Sequence, residues 1–222
     1  MDWHDRGTCV LFGDGAGAVV LKASTQPGGI LASLLRSDGS GCDLLAIPTH
    51  NVLDLGEHRL NRMYMAGQDV FKFAVRVVDE GIRQCVDKAG VKIEDIRLIV
   101  PHQANQRILA SVAKRLKMDG SMFMSNVERY GNTSAASIPM ALCEAIEQKR
   151  VRPDDHIVLI GFGGGLTWAA SVIKWGIPMP EAPLLNRPRR QFAYMFAGVR
   201  ARFTRLQRGY WSLRRRIKKM IS

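Results

Sequence analysis

The hydrophobic and polar positions of this chain follow helical and strand-like spacings in turn along residues 1–176. The longest helical pattern covers residues 68–89, where apolar residues recur every three or four positions, and Gly90 follows as a helix-ending glycine. Two further helices are predicted over 103–116 and 134–148. Short apolar runs predict strands at 8–12, 18–22, 30–35, 96–100, 122–125, 157–160 and 166–173. Alternating strands and helices are typical of a layered α/β protein.

Two stretches depart from this pattern. Residues 36–66 mix glycine, aspartate, proline and histidine without a period, which predicts an irregular surface excursion. Residues 177–222 begin with a proline-containing linker and continue with an apolar stripe surrounded by arginine and lysine. The stripe residues recur at spacings of four and three, at Val199, Phe203, Leu206, Tyr210, Leu213, Ile217 and Met220. This spacing predicts a basic amphipathic helix at the end of the chain.

The positive charge of the chain is concentrated in that tail. The formal net charge is +12 at pH 7. Residues 180–222 hold twelve basic residues and one acidic residue, whereas the remaining 179 residues hold 20 basic and 19 acidic ones. We therefore expect no nucleic-acid binding by the main body. No apolar run approaches the roughly 18 residues of a transmembrane helix, and the first residues lack a signal-peptide pattern, so a cytoplasmic protein is expected.

Cysteine and histidine positions give no sign of a metal site. The cysteines are Cys9, Cys42, Cys85 and Cys143, and they form neither a CxxC pair nor a grouping with histidine. Cys85 and Cys143 lie among apolar residues of helical patterns and are interpreted as buried free thiols, which is typical of a reducing compartment. His4, His50, His58 and His156 have no metal-ligand spacing. Neither a metal nor another cofactor is predicted.

Three polar or glycine-rich stretches lie where one predicted element ends and the next begins. They are Pro101-His102-Gln103-Ala104-Asn105, Gly131-Asn132-Thr133-Ser134-Ala135-Ala136-Ser137 and Gly161-Phe162-Gly163-Gly164-Gly165. Side chains and backbone amides at such junctions can be aimed at a substrate. A neutral imidazole, a carboxamide and a glycine-rich backbone can together donate several hydrogen bonds to one developing oxyanion. The stretches therefore indicate thioester enolate chemistry, although a buried core histidine and close strand packing are the structural alternatives.

A fourth glycine-rich stretch, Phe-Gly-Asp-Gly-Ala-Gly-Ala at 12–18, allows two interpretations. A dinucleotide fingerprint needs the spacing G-x-G-x-x-G and a helix directly after it. Here Val19, Val20 and Leu21 follow, which indicates a strand. A tight structural turn is therefore predicted, and a nicotinamide dinucleotide is not.

The four stretches together resemble the second half of β-ketoacyl-acyl-carrier-protein synthase III, the initiating condensing enzyme of type II fatty acid synthesis. The resemblance runs from about residue 2 to residue 175, with the motifs in the family's order and spacing. It implies a thiolase-like layered αβαβα fold, with 67–176 as its C-terminal half and 1–35 as a remnant of its N-terminal half. The family's first half, including the cysteine that accepts the acyl group, is expected to have no counterpart here, and the tail is a departure from the family.

The resemblance also implies roles for individual residues. His102 and Asn132 correspond to the pair that binds the malonyl thioester carbonyl and stabilises the enolate left by decarboxylation, which requires a neutral His102 with its proton on Nε2. The N–H of Gly164 corresponds to the oxyanion hole for the acyl-cysteine. The residues implied to contact CoA or its pantetheine arm are Gln68, Ala104, Asn105 and Phe162. Gln68 replaces the family's usual asparagine.

Several partners follow from the same resemblance. The acidic acyl carrier protein is expected to dock on basic residues, with a solvated basic face as the alternative; these residues are Lys72, Arg107, Lys114 and Arg115. Acetyl-CoA or another acyl-CoA, a second copy in a homodimer and a separate N-terminal half are further implied partners. For the tail, an anionic membrane surface is preferred, which would make the protein peripheral at the membrane. A partner helix, nucleic acid and packing against its own domain stay open.

The implied activity is the decarboxylative condensation of an acyl-CoA, with acetyl-CoA preferred, and malonyl-acyl carrier protein. None of the four cysteines lies in the family's nucleophile context, so we expect this chain alone not to form an acyl-enzyme. The alternative function is a non-catalytic fragment that binds a carrier protein or associates with a membrane.

Overall fold

The computed structural model describes residues 1–25, 28–49, 61–176 and Phe196. The first three ranges belong to one compact unit, Met1–Met179, and Phe196 belongs to a second unit, Pro180–Ser222. The predicted linker and amphipathic helix at 177–222 therefore lie almost entirely outside the described residues. Within the described ranges, every helix is too short or too polar to cross a bilayer.

The helices and strands of the described residues follow one another along the chain. In order they are α1 (Arg6–Cys9), β1 (Gly29–Ser37), β2 (Leu45–Ala46), β3 (Tyr64–Met65), α2 (Gly67–Lys88), β4 (Ile96–Pro101), α3 (Gln106–Leu116), α4 (Val127–Tyr130), α5 (Ser137–Glu147), β5 (His156–Gly163) and β6 (Thr167–Lys174).

Four of these strands form one mixed sheet in the order β1-β6-β5-β4. β4 and β5 run parallel, whereas β6 pairs antiparallel with both β1 and β5. The predicted strands at 30–35, 96–100, 157–160 and 166–173 are confirmed. The glycine-rich stretch predicted to separate the last two contributes Gly161, Phe162 and Gly163 to the end of β5.

Helices cover both faces of the sheet. Ile99, Val158 and Ala170 belong to a core shared with α2 and α3. The neighbouring residues Leu98 and Ile157 belong to a second core, with Ala141, Leu142 and Ala145 of α5. Because successive side chains of a strand point to opposite faces, α5 lies across the sheet from α2 and α3. The result is a helix-sheet-helix layering around a buried sheet.

The predicted helix at 68–89 is confirmed as α2, and Gly90 has the positive φ of +68° that ends such a helix. α3 starts three residues later than predicted, because the Asn105 side chain accepts the N–H of Arg107 and caps the helix. α5 starts at Ser137 because residues 134–136 form a tighter 3₁₀ turn first.

A buried carboxylate joins α2 to α3. Asp79 is 7% exposed, and its two carboxylate oxygens accept from Nε of Arg83 at 2.9 Å and Nε of Arg115 at 3.1 Å. Arg83 also donates to the backbone carbonyl of Arg115. Because Arg83 belongs to α2 and Arg115 to α3, the carboxylate fixes the two helices against each other.

Three predicted strands are wrong. Residues 8–12 do not form a strand, because the Asp5 side chain accepts the N–H of Gly7 and starts helix α1. Residues 18–22 have no regular structure: no described residue supplies a neighbouring strand, and Val20 is 93% exposed. At 122–125 only one bridge forms, between Phe123 and Ile99.

The predicted irregular excursion at 36–66 contains more order than expected in its described part. A 3₁₀ turn, Gly39–Gly41, is capped by the Asp38 side chain. β2 and β3 then pair antiparallel, with Leu45 opposite Met65. This small hairpin-like pair places Leu45, Ala46 and Met65 beside the end of the main sheet, where they line the cavity described below.

Candidate active site

His102 directly follows the last residue of β4. Its backbone N–H donates to the carbonyl oxygen of Ile160 at 2.7 Å, which continues the pairing of β4 with β5. Because the two strands are parallel, their carboxyl ends meet at one edge of the sheet, and His102 comes to lie beside Phe162. The two rings pack edge to face, with centroids 5.3 Å apart and an interplanar angle of 75°.

The imidazole of His102 is neutral around pH 7. Burial lowers the pKa of His102 to about 4, because the cationic form would lose hydration that the surrounding side chains do not replace. Nδ1 of the ring lies 2.6 Å from Oγ of Ser137. One ring nitrogen of a neutral imidazole donates and the other accepts, so the hydrogen bond at Nδ1 decides what Nε2 offers.

The Asn132 carboxamide is oriented by its own chain. Oδ1 of Asn132 accepts the backbone N–H of Ser134 at 2.9 Å. Since a backbone N–H pairs with the oxygen of an amide, this hydrogen bond determines which way the carboxamide faces. The NH₂ group makes no hydrogen bond to another described residue and is available to a ligand.

The stretch 11–13 holds the backbone of Asn132. The N–H of Asn132 donates to Leu11 O at 2.9 Å, and the N–H of Gly13 donates to Asn132 O at 2.9 Å, which forms a parallel bridge. Gly131, with φ +67°, makes the turn into this bridge. The tight turn predicted at 12–18 is instead a segment that packs along 130–139, since its glycines leave room for that close approach.

A cavity of about 820 Å³ lies at this edge of the sheet. Of the predicted site residues, the cavity is lined by His102, Ala104, Asn105, Asn132, Phe162 and Gly164. Much of its remaining lining is apolar, including Leu45, Met65 and Phe71. The structure thus brings the predicted donor pair, the glycine loop and three of the four predicted pantetheine contacts to one concave site.

Gln68 is the predicted contact that the structure does not bring to the cavity. Gly67, Val70 and Phe71 of α2 line it, and these positions share one side of the helix. Gln68 lies off that side and is exposed. Its contact with pantetheine stays a prediction.

The glycine loop is pressed against β2. A β-carbon on Gly164 would lie 2.9 Å from the carbonyl oxygen of Leu45. The hydroxyl of Thr167 donates to the carbonyl oxygen of Gly164 at 3.0 Å. A side chain at position 164 would therefore push β2 away from the cavity.

All four cysteines lie in described residues, and none of them lines the cavity. Cys85 is buried as predicted and contacts the carbonyl oxygen of Ala32 at 3.7 Å, whereas Cys143 is only half-buried. In the described part of the chain, no group of three or more His, Cys, Asp or Glu side chains is arranged to hold a metal ion.

The predicted docking residues lie outside the cavity, on α2 and α3. Arg107 and Lys114 are exposed on α3. Arg115 is partly engaged by Asp79, and Lys72 of α2 forms an exposed ion pair with Asp69 at 3.2 Å. The basic surface of α3 therefore presents Arg107 and Lys114 most freely.

Two residues at the site carry no predicted role. Ser137 contacts His102 directly, and Gln103, which is fully buried, lies between β4 and α5. Both belong to the motifs singled out above, but a serine and a glutamine in such stretches give no spacing signal of their own. Their partners, at positions 124, 126 and 102, become neighbours only in the folded chain.

The layered fold, with a histidine at the carboxyl end of a parallel strand and an asparagine after α4 lining the same cavity, belongs to the thiolase-like class. The crystal structure of β-ketoacyl-[acyl carrier protein] synthase III from Thermus thermophilus is similar, with a TM-score of 0.71 and 44% identity over 79% of this chain and 55% of that one. The structure of 3-oxoacyl-[acyl-carrier-protein] synthase III from Aquifex aeolicus VF5 also gives a TM-score of 0.71 and 44% identity, over 78% of this chain and 53% of that one.

Sequence comparisons agree with the structural ones. The family model of the C-terminal part of 3-oxoacyl-[acyl-carrier-protein] synthase III matches residues 86–175, and the family model of 3-oxoacyl-[acyl-carrier-protein] synthase III matches residues 1–39. β-Ketoacyl-[acyl-carrier-protein] synthase III of Roseiflexus sp. (strain RS-1) is 47% identical over 180 residues, which are 79% of this chain and 55% of the relative. The relative from Clostridium perfringens (strain SM101 / Type A) is 48% identical over 178 residues, with 78% and 55% covered.

The chain belongs to the β-ketoacyl-[acyl-carrier-protein] synthase III family. It spans about half the length of the curated relatives it matches.

Proposed function

We propose that the cavity binds the malonyl thioester of an acyl carrier protein and decarboxylates it. The observation that carries this proposal is the arrangement of His102 and Asn132. Both line one cavity, and each has one polar atom held by the protein, Nδ1 by Ser137 and Oδ1 by Ser134. The other polar atom of each side chain is thereby left for a substrate.

In the proposed step, the bond between C2 of the malonyl group and its carboxylate carbon breaks. Carbon dioxide leaves, and the electron pair of the bond moves into an enolate whose charge lies on the thioester oxygen. Where no acyl thioester is present, C2 of the enolate takes a proton from water, and acetyl-carrier protein is the product. Hydrogen bonds from Nε2–H of His102 and Nδ2–H of Asn132 stabilise that oxygen. Donors placed where charge develops lower the barrier, and losing one typically costs about 2.7–4 kcal/mol.

For the full condensation, C2 of the enolate attacks an acyl thioester held on a cysteine. A carbon–carbon bond forms, the thiolate leaves, and a β-ketoacyl-carrier protein is the product. The N–H of Gly164 is proposed to stabilise the oxyanion of this second step, and acetyl-CoA to supply the acyl group with release of CoA. The cysteine is proposed to come from the part of the family's length that this chain does not span.

Decarboxylation is tested by release of labelled carbon dioxide from malonyl-carrier protein. The chain should release it above the buffer rate, and His102→Ala or Asn132→Ala should lower the rate by about a hundredfold or more. Gln84→Ala, an exposed position on α2, is the control with wild-type activity. No release above buffer by the wild-type chain would refute the proposal. With radiolabelled acetyl-CoA, stoichiometric acetylation of the chain would refute the assignment of the cysteine.

A second candidate is a non-catalytic module that binds the carrier protein. The separation of the exposed basic residues Arg107 and Lys114 from the cavity favours it, because docking does not need the cavity to be active. The double variant His102→Ala with Asn132→Ala distinguishes the two. Retained function in a complemented cell supports the binding module, whereas loss of function supports catalysis.

The homodimer and the membrane-associated tail also stand as proposals. The tail rests on its sequence pattern, since it lies almost entirely outside the described residues. Co-sedimentation with anionic vesicles should be lost when the chain is ended at Pro178. Equal binding by both forms would contradict a membrane role for the tail.

A further inference from the structure

A buried serine contacts His102 on the side of the ring away from the free nitrogen. Ser137 is the first residue of α5 and is 1% exposed, and its Oγ lies 2.6 Å from Nδ1 of His102. Ser137 is not among the residues that line the cavity, so its hydroxyl does not reach a bound substrate. The pair is therefore not arranged for nucleophilic attack by serine, and any effect of Ser137 on chemistry passes through His102.

The backbone N–H of Gln103 indicates the direction of the hydrogen bond between Ser137 and His102. It donates to Oγ of Ser137 at 3.3 Å. Oγ thus already accepts one hydrogen bond, and its own proton is available to Nδ1 of His102. In the opposite arrangement Nδ1–H would donate to the same oxygen. The hydroxyl proton would then lack an acceptor, since Oγ of Ser137 has no third hydrogen-bond partner in the described ranges.

A buried hydroxyl without an acceptor has lost its hydration without a replacement and destabilises the fold. The arrangement in which Ser137 donates to Nδ1 is therefore the favoured one. It leaves the single proton of the neutral imidazole on Nε2.

Gln103 itself is locked in place. Its side chain is fully buried, and Nε2 donates to the carbonyl oxygens of Pro101 at 2.8 Å and Met124 at 3.0 Å. Its Oε1 accepts the backbone N–H of Asn126 at 2.9 Å. Each polar atom of the carboxamide is used, so the residue and its backbone N–H are held in one orientation. This network connects the end of β4 to residues 124–126 and, through Ser137, to α5.

We propose that Ser137 is a positioning residue that fixes His102 in the tautomer with its proton on Nε2, and that Gln103 orients Ser137. The proposal rests on the proposed function for its catalytic meaning. A thioester oxygen can only accept hydrogen bonds, so Nε2 must carry the proton to stabilise an enolate. In the tautomer with its proton on Nδ1, Nε2 would present a lone pair to that oxygen and would not stabilise the enolate.

The tautomer is read directly from the nitrogen NMR spectrum of the full chain with ¹⁵N-labelled histidine near pH 7. The His102 signals are assigned by their loss in His102→Gln. The wild-type chain should show His102 protonated at Nε2, Ser137→Ala should shift its signals toward the form protonated at Nδ1, and Ser137→Thr should restore the wild-type pattern. Should Ser137→Ala not fold, Ser137→Cys takes its place, because a thiol donates only weakly. Protonation at Nδ1 in the wild type, or an unchanged pattern in the variant, would overturn the proposal.

The kinetic consequence is measured separately. In carbon dioxide release from malonyl-carrier protein, Ser137→Ala should lower kcat about tenfold, less than the loss from removing His102, with little change in KM. Ser137→Thr should recover most of the rate. If the wild-type chain releases no carbon dioxide, the proposed function fails, and the NMR result still decides the role of Ser137. If Ser137→Ala shifts the tautomer of His102 but releases carbon dioxide at the wild-type rate, the tautomer assignment stands and its catalytic meaning is refuted.

Discussion

A β-carbon on Gly13 would lie 1.9 Å from the carbonyl oxygen of Tyr130. No side chain fits at that distance, so Gly13 allows residues 11–13 to approach the chain just before Asn132. The approach matters because the N–H of Gly13 donates to Asn132 O, and Leu11 O accepts the N–H of Asn132. The first residues of the chain thereby support one of the two candidate catalytic side chains.

Replacing Gly13 by alanine should destabilise the protein by about 1–3 kcal/mol, the usual range for overpacking a close contact. It should also lower the rate of malonyl decarboxylation, because Asn132 moves with Tyr130. Urea unfolding and carbon dioxide release measure the two effects. Gly120→Ala is the matched control, since nothing lies within 4 Å of a β-carbon there. An equal effect of both substitutions would contradict the support assigned to Gly13.

The buried His102 should make stability depend on pH in a defined window. Its pKa is lowered to about 4 in the folded protein, below the usual value of 6.5. Between these values the unfolded chain binds a proton that the folded chain does not, so stability falls as the pH decreases from 6.5 toward 4. We expect about 2 kcal/mol of additional loss between pH 7 and pH 4.5 in the wild type relative to His102→Gln. Denaturant unfolding at the two pH values measures it, and equal losses in both proteins would refute it.

The lowered pKa of His102 also predicts that titration of this residue leaves the rate of decarboxylation unchanged from about pH 5 upward. The neutral imidazole, with Nε2–H as donor and Nδ1 as acceptor of the Ser137 hydroxyl, predominates throughout that range. The rate of carbon dioxide release should change only as the pH approaches 4, where Nδ1 takes up a proton and no longer accepts from Ser137. An inflection near 6.5 that disappears in His102→Gln would contradict this assignment.

Asp79 should contribute measurably to stability, unlike the surface ion pairs. Asp79→Asn removes a charge whose side chain is 10% exposed and which binds both Arg83 and Arg115. We expect a loss of about 1–2 kcal/mol in the free energy of unfolding, discounted because both arginines are half exposed. Asp69→Asn, in the exposed pair with Lys72, should cost less than about 0.5 kcal/mol. Similar losses of unfolding free energy in the two variants would show that Asp79 does not stabilise the packing of α2 against α3.

Charge reversal on α3 should weaken binding of the acyl carrier protein. Arg107→Glu or Lys114→Glu places a negative charge where an acidic partner is proposed to dock, and we expect roughly a three- to tenfold higher Kd at low salt. Lys149→Glu, an exposed lysine just after α5 on the opposite side of the sheet, should bind like the wild type. Titration of carrier protein at two salt concentrations measures the effect. No difference between the α3 variants and Lys149→Glu would refute docking on α3.

The sequence correctly predicted elements whose pattern of apolar residues lies within the element itself, such as α2 and β4. The α2 pattern ends at Gly90, and β4 is a buried strand whose end at Pro101 places His102 at the junction that the sequence predicted. The strand predicted at 18–22 did not form, because a strand also needs a neighbouring strand to pair with. Val19, Val20 and Leu21 have strong strand propensity, but no described strand pairs with them. At 8–12 a local cap from Asp5 outweighed strand propensity.

The candidate site divides in the same way. The stretches that contain His102, Asn132 and Gly164 stand out in the sequence because they mark junctions between elements, and the family resemblance implies the roles of the three residues. Ser137 lies in one of these stretches but has no predicted role, because its contact with His102 joins residues 35 positions apart in sequence. Gln68 shows what a motif does not indicate, the rotation of a helix: Gly67, Val70 and Phe71 of α2 line the cavity, and Gln68 does not.

The strand order β1-β6-β5-β4 has a consequence for how the chain folds. β1, near the start of the described sheet, pairs only with β6, and Ser33 meets Ser171 across that pair at 2.9 Å. During synthesis, more than a hundred residues follow β1 before β6, its pairing partner, emerges from the ribosome. Pairing at such long sequence separation carries a high loop-closure entropy, which slows folding. We expect the sheet to close late and cooperatively, when β6 enters between β1 and β5.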